Sequence, residues 1–118
     1  MKPNANALPR EILLAFWKVH ILHHAGEEPI YGQWIVGELR RHGYEISPGT
    51  LYPLLGRMEA HGWLASERPG NGPRSPRYYR LTKAGQEVLE LIRVQLRELC
   101  DEVLPDVKRK RDRKAARA

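Results

Sequence analysis

The side chains with the most chemistry to offer fall into two groups, one built on imidazole and one on guanidinium. His20, His23 and His24 place two imidazoles at i and i+4, a helical spacing that can grip a metal ion from one face. No carboxylate or cysteine is read beside them at ligand spacing, so surface or interface histidines are expected and a metal site is not. The single cysteine, Cys100, rules out an internal disulfide and a cysteine-built zinc site, and next to Leu99 it reads as a small buried hydrophobe. The second group is Arg68, Arg74, Arg77 and Arg80 with Ser75, cations spaced to meet several phosphates or to place one guanidinium in a minor groove. Just upstream, Ser47, Gly49, Thr50 and Tyr52 offer small side chains, backbone N–H groups and a phenol. That is the chemistry of a helix end that comes close to a polyanion. No nucleophile–base constellation or phosphate loop accompanies them, so neither catalysis nor a cofactor is expected.

The formal charge of +6 says less than it promises. Residues 1–107 carry 13 basic and 13 acidic side chains, while 108–118 carry seven basic and one acidic, so the whole excess lies in the final segment. Locally the balance is uneven. Arg57–Lys83 holds six basic and two acidic residues, and Ala84–Val107 holds two basic and six acidic. A basic zone beside an acidic helix implies one face for polyanions and another for a different partner.

Both groups need elements to hold them. A first helix is expected over about Leu8–Ala25, closed by Gly26, with apolar residues around nearly its whole circumference, Phe16 and Trp17 among them. One small head cannot bury all of that surface, so part of it is expected to meet a second copy. A loop at Glu27–Pro29 leads to a second helix, about Tyr31–His42, stopped by Gly43. Ser47 is an N-cap with Pro48 at the first helical position of a third helix, whose Leu51, Leu54, Leu55 and Met58 form one inward stripe. Pro53 should kink or tighten it. Trp63–Arg68 and Arg77–Leu81 read as two strands of a hairpin, joined by a loop with three prolines and two glycines, with Trp63 and Tyr79 left in the core. Strand alternation pairs Arg68 and Arg80 with Glu67 or with solvent.

Thr82 then caps a fourth helix to about Leu104, with Leu89, Ile92, Leu96, Leu99 and Val103 as a two-heptad seam for dimerisation. The fold class is mainly α with a small β-hairpin (α+β), a winged helix-turn-helix. Its divisions are a head over 8–83, a dimerisation helix over 84–105 and a basic, flexible tail over 106–118. At 118 residues one domain is expected. Met1–Pro9 has no apolar core, and the apolar run near Ile12 is broken by Lys18 and His20 well before the ~18 residues of a membrane span, so a cytoplasmic location is expected.

In such folds the second helix of the motif enters the major groove by its N-terminal residues. This places Ser47, Gly49, Thr50 and Tyr52 at bases or backbone, with Arg74, Ser75 and Arg77 contacting phosphates from the wing. The plainer alternative is that Ser47 only caps its helix and Tyr52 packs on the head. Ser47-Pro48-Gly49-Thr50-Leu51-Tyr52-Pro53-Leu54-Leu55, Met58-Glu59, Gly62-Trp63-Leu64 and Arg77-Tyr78-Tyr79-Arg80-Leu81-Thr82-Lys83-Ala84-Gly85, with Tyr31-Gly32 upstream, together resemble the PadR family over about residues 10–104. The resemblance implies a homodimeric transcriptional repressor on a palindromic double-stranded DNA operator, released by a small-molecule effector. Trp17, or less readily Trp34, is the candidate to line a pocket for a small aromatic effector. The competing reading is a winged-helix module that holds a protein partner instead of DNA.

Overall fold

The computed structural model describes residues 4–104, so Pro105 and the basic tail expected over 106–118 lie outside the described residues. A short 3-10 turn, Ala5–Ala7, precedes helix α1 (Arg10–Glu27). Strand β1 (Ile30–Tyr31), helix α2 (Gly32–Arg41), helix α3 (Pro48–Ala60), strands β2 (Leu64–Glu67) and β3 (Tyr78–Leu81), and helix α4 (Lys83–Val103) follow. The sheet is antiparallel in the order β1-β3-β2.

Two boundaries differ from the expectation for physical reasons. Gly26 does not close α1, which runs on to Glu27. A side-chain carbon at Gly26 would come within 2.9 Å of Leu81 Cδ2, so this glycine is present for close packing of helix on strand. Tyr31 does not begin α2. With Ile30 it is extended and pairs with β3 in the register Ile30↔Tyr79 and Tyr31↔Tyr78, giving three strands where a two-stranded hairpin was expected. Gly43 does stop the chain after α2 in the left-handed region, at φ 94°, and Gly62 does the same after α3 at φ 83°.

The core joins Leu13, Trp17, Ile21 and Leu22 of α1 to Ile35, Val36 and Leu39 of α2 and the stripe Leu51, Leu54, Leu55 and Met58 of α3. All four residues of that stripe are fully buried. Burial of such side chains stabilises by about 1.5–3 kcal/mol each, which fixes the roll of α3 and so decides which face it shows to solvent. The helix continues through Pro53 to Ala60.

Caps set the joints. Thr82 Oγ1 accepts from Gly85 N at 3.0 Å and donates to the Gly62 carbonyl at 2.6 Å, tying the start of α4 to the end of α3. Gly85 lies directly on the Trp63 backbone, where no side chain would fit. Asn6 clamps the turn between α2 and α3, accepting from Glu45 N at 2.7 Å and donating to the Gly43 carbonyl at 2.9 Å. The head therefore draws on residues before Leu8.

The burial of two residues expected at a dimer interface is different. Trp17 is 2% exposed, its ring edge-on to Tyr44, and Leu89 is buried against the head. Both are core residues of the single chain, so neither offers a face to a partner, and Trp17 is closed to a planar effector. Ile92 is half-buried on the same core. Phe16, Leu96, Leu99 and Val103 are exposed, together with Leu8, Ile12, Leu91 and Val94. The seam thus leaves the head after Ile92.

Candidate nucleic-acid interface

The exposed face of α3 begins at its cap. Ser47 Oγ accepts from Thr50 N at 3.3 Å and lies 3.3 Å from Thr50 Oγ1, which fixes both hydroxyls at the helix N-terminus. There the unpaired backbone N–H groups and the helix dipole favour an anion. Arg10 of α1 brings Nη2 to 3.5 Å from Thr50 Oγ1. This basic side chain was not anticipated, since forty positions separate the two residues and no local pattern links them.

Tyr52 is 45% exposed one turn further on. Its ring lies over Gly32, the first residue of α2, where a side-chain carbon would collide with Cε1, Cζ and Oη. The glycine lets the hydroxyl end of the phenol rest on the start of α2, so the ring is held in place while nearly half of the residue stays open to solvent.

A cleft of about 420 Å³ lies between this helix face and the wing, and Tyr52, Arg68, Arg74, Ser75 and Arg77 all line it. The structure thus brings the phenol and the wing cations into one concavity, with Ser47, Gly49 and Thr50 at the nearby end of α3. Arg77 is aimed by a relay: its Nη1 donates to Ser66 Oγ at 3.1 Å, and Ser66 donates in turn to the Glu59 carboxylate at 2.7 Å. The Ser66 backbone N–H also donates to Glu59, at 2.9 Å, which locks α3 to β2. Ser75 has a defined local task. Its Oγ accepts from Gly72 N at 3.1 Å and its own N–H donates to the Gly72 carbonyl at 3.0 Å, closing the turn at the wing tip that presents Arg74.

Among the described residues no carboxylate stands within ion-pair distance of Arg68, Arg74, Arg77 or Arg80. Of the two alternatives for Arg68 and Arg80, solvent holds: both are exposed, and the register sets Arg80 opposite Ala65 and Glu67 opposite Tyr78. Beneath the cleft Tyr79 is buried, and burial raises its phenol above the ordinary tyrosine range, with Glu59 adding to the rise and Arg77 opposing it.

The imidazoles are arranged differently from the sequence reading. His20 and His24 of α1 meet His42 at the end of α2, and Glu38 and Glu27 border them. The statement that no carboxylate accompanies these histidines is overturned: Glu27 lies one turn on in the same helix, and Glu38 arrives through the fold.

Among known proteins, the family model described as the transcriptional regulator PadR-like family matches residues 21–91. The transcriptional regulator Rv3488 of Mycobacterium tuberculosis is 50% identical over 95 residues, covering 80% of this chain and 89% of that protein. A PadR family transcriptional regulator from Eggerthella lenta superposes with a TM-score of 0.67 at 37% identity, covering 79% of this chain and 86% of its own. A PadR-like transcriptional regulator from Bacillus cereus gives 0.70 at 28% identity, with 79% and 92% covered. No helix among the described residues is long and apolar enough to cross a membrane. The winged fold, the family model spanning more than half the chain and the closeness of these relatives agree, and the chain belongs to the PadR-like family of transcriptional regulators.

Proposed function

We propose that this chain is a homodimeric repressor that binds a palindromic operator through α3 and the wing. The observation that carries the reading is the cleft lined by Tyr52, Arg74 and Arg77, whose lining includes no carboxylate. In the complex, Ser47, Gly49 and Thr50 meet the backbone or base edges at the end of α3, and Tyr52 offers a hydroxyl and a ring edge in the major groove. Arg74 and Arg77 take phosphates, with Ser75 holding the turn behind them. Arg10 joins them at Thr50. The basic segment 108–118 adds attraction without sequence preference. Two heads facing successive major grooves would need centres ~34–36 Å apart, so a ligand that changes their relative angle releases the operator. With Trp17 enclosed in the core, that ligand is not a planar molecule stacked on it.

The test is Arg74→Ala with Arg77→Ala, assayed by fluorescence anisotropy on a duplex selected from a random pool. Operator affinity should fall at least about tenfold, and the salt slope should flatten by about two units for each head. Equal affinity and slope in the variant would remove the wing from the interface. A selected pool without a palindrome would remove the operator model.

A further inference from the structure

We infer that His20, His24 and His42, with Glu38, form a binding site for a divalent transition-metal ion of the zinc class at the junction of α1 and α2. One ligand atom from each of the three histidines lies within 4.8 Å of the others. Tetrahedral zinc with bonds of about 2.0–2.1 Å needs nitrogens about 3.3 Å apart, so the imidazoles close in on the ion as it binds. The rings are close neighbours: His20 and His42 are 4.9 Å apart between centroids, and His20 and His24 lie nearly parallel at 6.3 Å. Glu38 Oε1 stands beside this three-nitrogen set, 3.3 Å from His42 Nε2 and 3.8 Å from His24 Nε2.

The surroundings match what a ligating imidazole requires. A metal-bound histidine usually gives its other ring nitrogen to a carboxylate, which fixes the tautomer. His24 has a carboxylate near each ring nitrogen: Nδ1 lies 3.5 Å from Glu27 Oε1 and Nε2 lies 3.8 Å from Glu38 Oε1. Burial holds His20 and His24 below the ordinary imidazole range, with the neighbouring histidines adding to the effect on both and the Glu38 carboxylate opposing it. An open cleft of about 430 Å³, lined by His24, Glu27, Glu28, Trp34, Glu38 and Arg41, reaches one of the three histidines and Glu38, and its three glutamates attract a cation. Arg41, which donates to Glu38 at 2.8 Å, is the group that must yield when the metal arrives. The second cluster, His23, His24 and Glu27, shares His24 and is more exposed, so one ion per chain is expected.

The site bridges α1, whose exposed apolar stripe faces away from the head, and α2, the first helix of the DNA-binding motif. Resting on the repressor reading above, occupancy by the metal alters the angle between these helices and makes the ion an effector.

The experiment uses tag-free full-length protein stripped with chelator, titrated with Zn(II) by calorimetry and with Co(II) by visible absorption, in the absence of DNA. Wild type should take up one ion and give the d–d bands of tetrahedral Co(II). His20→Gln and His42→Gln should each weaken binding at least about 100-fold, more than the usual loss from changing an outer-shell partner. His61→Gln, a histidine stacked on Trp63 in a different part of the head, should bind as wild type does. Circular dichroism establishes folding, and exposed His42 provides a mild variant if His20→Gln unfolds. Unchanged Zn(II) affinity in folded His42→Gln, or no Co(II) spectrum in wild type, overturns the site. Operator binding with and without Zn(II) then tests the coupling separately: a shift in affinity that is lost in His42→Gln supports it, and a shift that is absent from wild type overturns the effector role even where the ion binds.

Discussion

Single residues in this head act by being held, and Tyr79 shows how the holding becomes measurable. It is buried on β3 beneath the cleft, where Glu59 disfavours its phenolate further and Arg77 partly offsets this. Its folded pKa lies above the unfolded value of about 10. The neutral ring's contribution to stability is therefore complete below pH ~10 and lost as pH rises through the folded value. In an ultraviolet titration, one of the five tyrosines should ionise later than the rest, in step with alkaline unfolding. Glu59→Gln should lower that pKa and Arg77→Ala should raise it. Five tyrosines titrating together in the folded protein would contradict the assignment. Arg77 thus acts on the buried Tyr79 from a guanidinium whose Nη1 is held by Ser66 Oγ.

Elements were legible wherever their cause was local. Ser47-Pro48 announces α3 and Thr82 announces α4 because a cap is a contact within three residues. The inward stripe of α3 follows from spacing alone. Strand β1 was not legible: two residues carry no periodicity, and their partners Tyr78 and Tyr79 lie 47 or more positions away. The candidate site divides along the same line. The face of α3 and the wing arginines are contiguous runs, whereas Arg10 beside Thr50, and His42 and Glu38 beside His20 and His24, are joined only by helix packing. Gly26 illustrates an ambiguity, since a helix stop and a close contact call for the same residue. Gly85 resolves more clearly, because the space where its side chain would stand is occupied by the Trp63 carbonyl. Gly85→Ala should therefore push α4 off the hairpin and destabilise the head by about 1–3 kcal/mol, despite alanine's better helix propensity. Chemical denaturation reads this directly, and a variant as stable as the parent would show that the joint has slack.

At the scale of the whole molecule, the two ends of the chain's apolar surface remain to be accounted for. Ile12 and Phe16 lie one turn apart on α1, with Leu8 just before the helix, and Phe16 is 43% exposed; on α4, Leu96, Leu99 and Val103 are exposed beyond the head, Leu99 at 58%. Single exposed apolar residues are ordinary on a protein surface, but rows repeated on two helices are costly unless covered. A second copy is the proposed cover, and it sets the separation of the two recognition helices. Placing an uncompensated carboxylate in each row, Phe16→Asp and Leu99→Asp, leaves the head's own core untouched, since neither side chain belongs to it. Sedimentation equilibrium should then find a monomer with wild-type helix content. Operator affinity should fall far more than for either arginine substitution, because a single head keeps its phosphate contacts but loses the second half-site. If the doubly substituted chain sediments as a dimer, the pairing face lies elsewhere and the spacing argument for a palindrome goes with it. A monomer that keeps full operator affinity would instead show that one head suffices, leaving the exposed rows to another partner.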